Sequence, residues 1–126
     1  MNHQQVILCI DDDLDTCELI AFSLTRSGYQ VEKAHSVGEA LSKARQEQFV
    51  LYSIDSRLPD GSGVDLCKHI RQFDPHTPIL FFSAAAFPDE IQSAMSAGAQ
   101  AYLVKPTDLD ELLKTEIGRA SCRERV

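Results

Sequence analysis

Five short apolar runs, each followed by a stretch with helical spacing, set the rhythm of the chain. Val6–Ile10 is apolar without alternation, as expected of a strand covered on both faces in a parallel sheet, and it stops at Asp11. Leu14, Cys17, Leu19, Ile20 and Leu24 then recur at helical spacing until Gly28, a natural helix terminator. Residues 29–34 predict a short, half-polar strand, and Ser36 with Glu39 reads as a capping box opening a helix to about Gln46. Residues 49–54 form the next apolar, β-rich run, ending at Asp55, and the loop 56–63 carries one proline and two glycines. Val64, Leu66, Cys67, Ile70 and Phe73 mark a third helix closed by Asp74-Pro75, and residues 79–82 make a fourth strand ending at Ser83. Pro88-Asp89-Glu90 opens a fourth helix with Ile91, Ala94 and Met95 on one face and Gly98 at its end. Ala101–Val104 is the fifth strand, ending at Lys105-Pro106, and a fifth helix starts over 108–114.

Strict alternation of strands and helices with short loops demands right-handed crossovers. The expected fold is therefore α/β, a doubly wound five-stranded parallel sheet covered on both faces. In such sheets ligands sit at the carboxyl ends of the strands.

Composition narrows the class of partner. With 126 residues, 44% hydrophobic and 25% charged, the chain suits one domain, and its formal charge of −7 argues against holding phosphodiester backbones through its overall field. No run of about 18 apolar residues and no basic segment leading into a signal-like apolar stretch is present, so a cytoplasmic protein without membrane attachment is expected. Cys9, Cys17, Cys67 and Cys122 form no C-x-x-C pair, and with His3, His35, His69 and His76 they show no zinc spacing; packed, reduced thiols are expected.

Residues 116–126 abandon the amphipathic pattern before them. One choice of codons for 117–126, ATC GGA AGA GCG TCG TGT AGG GAA AGA GTG, spells a common short-read sequencing adapter whose next triplet is TAG, a stop. The expectation is read-through: a domain over 1–115, a fifth helix cut short, and a non-native tail over 116–126 to be left out of fold reasoning. That tail carries a net +1, which leaves −8 on the remainder.

The residues that end the strands carry the chemistry. Asp11 and Asp12 follow the first, Asp55 the third, Ser83 the fourth and Lys105 the fifth, all on one rim. Three carboxylates crowded at one end of a sheet repel each other unless a hard cation neutralises them, and oxygen-only ligands select Mg²⁺. A lysine and a hydroxyl beside such an ion make a phosphoryl-sized pocket, so the chemistry suggested is phosphoryl transfer to an aspartate. Taken singly the features are ordinary: an aspartate run can be a helix cap, Lys105 a surface lysine, Tyr102 a half-buried strand residue, and Gly61 and Gly63 turn glycines.

Four segments in order resemble the receiver domain of two-component response regulators across nearly all of residues 6–115: Ile7-Leu8-Cys9-Ile10-Asp11-Asp12-Asp13, then Ile54-Asp55-Ser56-Arg57-Leu58-Pro59-Asp60-Gly61-Ser62-Gly63, then Phe82-Ser83-Ala84, and Gly98-Ala99-Gln100-Ala101-Tyr102-Leu103-Val104-Lys105-Pro106. The resemblance implies a flavodoxin-like (βα)5 domain with strand order 2-1-3-4-5, an order the family shares with flavodoxin. It implies that Asp55 accepts a phosphoryl group from a phosphohistidine on a histidine kinase or phosphotransfer protein, with Mg²⁺ held by Asp55, by Asp12 directly, by Asp11 through water and by the backbone carbonyl of Arg57. Lys105 would pair with a phosphoryl oxygen after a cis Lys105-Pro106 bond, and Ser83 would hydrogen-bond the phosphoryl group. Tyr102 would turn inward as Ser83 moves, altering the face of the fourth helix, fifth strand and fifth helix toward a downstream output domain or protein, or toward a phosphorylation-dependent dimer. On this reading the domain is a switch with self-catalysed phosphorylation and dephosphorylation, not a turnover enzyme, and binds no nucleic acid directly.

Departures from the family pattern are Thr107, where phenylalanine is frequent, and Ser53 in an apolar strand. Arg57 and Ala85 stand two places after Asp55 and Ser83, and neither can orient an attacking water, which predicts a long-lived acyl phosphate. A pseudo-receiver that binds partners without phosphorylation is the alternative. An aspartyl-phosphate hydrolase, suggested by Asp11-Asp12-Asp13, lacks the usual Thr or Val at Asp15 and the length for a cap. A calcium loop fails at Thr16, where glycine is needed, and at Phe22, where a bidentate glutamate belongs.

Overall fold

A computed structural model of the chain describes residues 5–85 and 87–105. In chain order the elements are β1 (Val6–Ile10), α1 (Leu14–Arg26), β2 (Gln30–Ala34), α2 (Val37–Gln46), β3 (Leu51–Ile54), β4 (Arg57–Leu58), β5 (Gly61–Ser62), α3 (Gly63–Phe73), β6 (Ile79–Ser83), α4 (Pro88–Ser96) and β7 (Ala101–Val104). The five long strands form one parallel sheet in the order β2-β1-β3-β6-β7, which is the 2-1-3-4-5 order expected, while β4 and β5 pair antiparallel as a separate small hairpin. No helix among the described residues is long and apolar enough to cross a membrane.

Side chains alternate across a strand, so an unbroken apolar run feeds two cores at once. Leu8, Ile10, Tyr52, Ile54 and Phe81 face one side, against Ala40, Leu66 and Ile70 of α2 and α3. Ile7, Cys9, Leu51, Leu80 and Phe82 face the other, against Cys17, Ile20 and Leu24 of α1.

Side-chain caps fix three helix starts. Asp13 accepts from the Asp15 amide at 3.1 Å, Ser36 from Glu39 at 3.1 Å and Ser62 from Asp65 at 3.0 Å. Glu39 reaches back to the His35 amide at 2.8 Å, closing the reciprocal pair that Ser36 and Glu39 suggested, one residue earlier than the usual box. Gly28 and Gly98 take the left-handed conformation just past α1 and α4, at φ 97° and 115°.

Several expectations are corrected. Of the apolar residues that recur at helical spacing in α1, Leu14 and Leu19 are 61% and 47% exposed, while Cys17, Ile20 and Leu24 form the buried stripe, because α1 meets the sheet along a narrow line. Phe73 and Met95 are also exposed, and the Phe73 ring takes the Arg45 guanidinium 5.4 Å from its centroid. Phe49 and Tyr29 are buried just ahead of β3 and β2 rather than within them. The loop over 56–63 contains the β4–β5 hairpin. The fifth helix, Pro106 with its expected cis bond, and the tail lie outside the described residues.

Candidate functional site

Register places the candidate residues on one rim. Ile10 is level with Ile54, and Ser83 with Val104, so the residues that follow β1 and β3 leave the sheet side by side, as does the residue that follows β7 beside the end of β6. Backbone bonds hold the exits: the Asp11 amide donates to Ala34 at 3.0 Å, Asp55 to Ile10 at 2.9 Å and Lys105 to Ser83 at 2.9 Å. Asp11 Oδ1 accepts from the Asp13 amide at 2.9 Å, which fixes the acidic turn, and His35 Nδ1 lies 2.9 Å from the Asp11 carbonyl.

The segment after Asp55 is held as firmly. The Gly63 amide donates to the Ser56 carbonyl at 2.8 Å, closing the hairpin. A Cβ on Gly63 would stand 2.2 Å from the Asp55 carbonyl oxygen, so only glycine lets α3 begin there. Asp60 at the hairpin tip accepts from the Val37 and Gly38 amides at 2.7 and 3.0 Å, tying the hairpin to the first turn of α2. Those two amides hold the Asp60 carboxyl below its ordinary value.

Asp11, Asp12 and Asp55 each offer a carboxylate oxygen, and these oxygens lie within 4.8 Å of one another. Asp11 is buried, Asp55 half-buried and Asp12 exposed, so the cluster opens outward at Asp12. Lys105 Nζ reaches Asp11 Oδ2 at 2.5 Å and Asp55 Oδ2 at 3.6 Å. Burial, and then the neighbouring Asp11 charge, push the Asp55 carboxyl up to about 6 against the pull of Lys105. Burial also works against the charge on Lys105, but Asp11 and Asp55 outweigh it and hold the ammonium above the ordinary lysine value. Asp12, Asp55, Arg57, Ser83 and Lys105 line one groove of about 380 Å³.

Ser83 is buried with its Oγ 2.5 Å from Ser56 Oγ, and it accepts from the Ala85 amide at 3.1 Å. Tyr102 stands behind the groove: its ring stacks on Phe81 with centroids 5.6 Å apart, and its hydroxyl donates to the Ala85 carbonyl. Ser83 and Tyr102 are thus linked through the loop after β6. Ser56 and His35 were not singled out in the sequence. Nothing local marks either, because each meets its partner, Ser83 or the Asp11 carbonyl, only across strands.

The sequence and the fold have counterparts among known proteins. A family model described as the response regulator receiver domain matches residues 7–116. The response regulator protein PilR of Pseudomonas aeruginosa is 39% identical over 109 residues, 86% of this chain and 24% of its own length; the chain spans about a quarter of the curated relatives it matches first. A response regulator receiver domain protein (CheY-like) from Methanospirillum hungatei superposes with a TM-score of 0.91 at 29% identity, covering 98% of both chains. A response regulator protein from Burkholderia pseudomallei, solved with a phosphorylated aspartic acid, calcium ion and citrate, gives a TM-score of 0.84 at 30% identity over 97% of this chain and 72% of that one.

Proposed function

We propose, from the premise that this chain belongs to the response regulator receiver domain family, that Asp55 is the phosphoryl acceptor and that its modification changes a partner-binding face. The observation that carries this is the cluster of Asp11, Asp12 and half-buried Asp55, with Lys105 in contact with Asp11 and Asp55. A carboxylate oxygen of Asp55 attacks phosphorus as the P–N bond of a phosphohistidine breaks and the imidazole leaves with the electron pair.

The donor set fits Mg²⁺. Three carboxylates and the Arg57 carbonyl are hard oxygen ligands, and the carboxylates now share a single ammonium, which leaves them under-neutralised. When bound, Mg²⁺ would supply charge neutralisation for the donor's phosphoryl oxygens. Lys105 then moves from Asp11 toward a phosphoryl oxygen, and Ser83 exchanges Ser56 for another. Tyr102 follows through Ala85, which carries the change to α4 and β7.

The partners proposed are a histidine kinase or phosphotransfer protein as donor, and an output domain or protein as receiver of the signal; PilR is a regulator about four times this chain's matched length. The domain acts as a switch in the cytoplasm, and Arg57 and Ala85 give the acyl phosphate a long life. Residues 116–126 are adapter read-through rather than native sequence; recovery of the same codons for 117–126 from genomic DNA by an adapter-free method would refute that reading.

The test is labelling by acetyl phosphate with Mg²⁺, read by intact mass. Wild type gains one phosphoryl group and Asp55→Asn none. Undiminished labelling of Asp55→Asn would sink the assignment, and no labelling of wild type by any donor would favour a pseudo-receiver. Loss of the label within seconds, with no phosphatase present, would refute the long lifetime.

A further inference from the structure

Arg57 stands between two grooves. With Lys105 it is one of the two bases bordering the acidic groove, and it also borders a second groove of about 320 Å³ that runs past Ser56, Asp89 and Glu90 to α4. Its Nη2 lies 3.0 Å from Glu90 Oε1, and its side chain is 71% exposed. The other Glu90 oxygen, Oε2, is buried and has no hydrogen-bond partner among the described residues. The pair is therefore single-pronged and open to solvent on its Arg57 side, a class of contact that contributes little and exchanges easily.

The acceptor pocket creates demand for that same guanidinium. The three carboxylates and Lys105 together carry two negative charges, which a divalent cation balances. Converting the Asp55 carboxylate into an acyl phosphate dianion adds one negative charge that neither this cation nor Lys105 offsets. A guanidinium forms stronger, charge-assisted bonds to phosphoryl oxygens than a single-pronged bond to a carboxylate in water.

Resting on the reading of Asp55 as acceptor, we propose that Glu90 is a positioning residue for phosphoryl transfer. It holds Arg57 on α4 while Asp55 is free and yields it to the phosphoryl group once that group has formed. The exchange leaves Glu90 without its partner and loosens the first turn of α4, so charge at the acceptor is transmitted to α4 by a route separate from Ser83 and Tyr102.

Glu90→Gln tests this, because it removes the charge that holds Arg57 before transfer while preserving shape. With acetyl phosphate and Mg²⁺, the Asp55 oxygen-to-phosphorus bond forms as the phosphorus–oxygen bond to the acetyl group breaks and acetate departs with the electron pair. We expect Glu90→Gln to label about 3- to 10-fold faster than wild type, since a freed cation at the mouth raises the local concentration of an anionic donor. In an Arg57→Gln background the same substitution leaves the rate unchanged. A second readout needs no turnover: beryllofluoride with Mg²⁺ shifts the Arg57 Nε resonance in wild type toward its position in Glu90→Gln bound to the same probe. Rates within twofold for wild type and Glu90→Gln, an acceleration that persists without Arg57, or an Arg57 resonance unmoved by beryllofluoride would each overturn the role of Glu90. Wild-type labelling distinguishes this from failure of the acceptor reading: its absence removes both, whereas normal labelling with an inert Glu90→Gln removes Glu90 alone.

Discussion

The two ends of the sheet treat charge in opposite ways. At the edge where β6 and β7 begin, Arg71 donates to the Gly98 carbonyl from Nε and Nη2 at 3.1 and 2.8 Å, to the Asp74 and Thr77 carbonyls from Nη1 at 3.0 and 2.8 Å, and to Gln100 Oε1 at 3.2 Å. Gln100 Oε1 also accepts from the Ile79 amide at 2.7 Å, so one guanidinium and one amide stitch four chain segments together. At the rim where β1, β3 and β7 end, three carboxylates crowd together, and among the described residues Lys105 alone pairs with two of them, Asp11 and Asp55. Each bond of the first cluster joins a donor to an acceptor, whereas the second presses like charges together. The first edge stabilises the fold, and the second holds unfavourable energy that a bound cation can discharge.

Removing Arg71 should have the largest effect. Arg71→Ala leaves the Gly98, Asp74 and Thr77 carbonyls short of partners and is expected to cost about 3 kcal/mol in urea denaturation, with little change in the labelling of Asp55.

Asp55→Asn should do the reverse. Without divalent ions it is expected to stabilise the fold at pH 7 by about 1–2 kcal/mol, a figure reduced for the remaining solvent access and for the lost contact with Lys105. The sign follows from a carboxyl held above its ordinary value: the penalty on the fold is absent below the unfolded value of 3.8, grows as pH rises, and is complete above about 6. Urea midpoints of the two proteins should therefore converge as pH falls toward 4 and separate above 6. A gain that persists unchanged at low pH would dissolve the contrast between the two ends.

Mg²⁺ sharpens the same contrast by ligation. At a tenfold excess over its dissociation constant it should stabilise wild type by about 1.4 kcal/mol in thermal unfolding, and Asp55→Asn by clearly less. Equal stabilisation of both would place the ion elsewhere. The smallest effect belongs to an exposed pair at neither end: Lys33→Gln breaks the 2.7 Å contact with Glu18 and should leave the melting temperature unchanged within error.

The strands were legible because both of their faces are covered. Val6–Ile10 needs no alternation to be read as a strand, and its register partner 51–54 ends one residue before Asp55 for the same reason. The helices were legible as helices but not in their orientation: periodicity marked Leu14, Leu19, Phe73 and Met95 as apolar, and only the angle at which each helix meets the sheet left them exposed. The cysteines show the same limit. Cys9 and Cys17 have no motif spacing, yet a strand and the helix packed on it bring their sulfurs to 3.7 Å in the core.

By itself the sequence determined the alternating elements, the parallel sheet and the residues that end its strands, because burial on two faces and the chemistry of side chains are written locally. The tertiary structure alone decided that the carboxylates of Asp11, Asp12 and Asp55 converge within 4.8 Å, that Lys105 reaches Asp11, that Ser83 is bonded to Ser56, that Gly63 admits no side chain and that Arg57 leans on Glu90. Those contacts join residues as many as 94 positions apart, and their distances depend on strand register and crossover packing, to which no single segment of the chain has access.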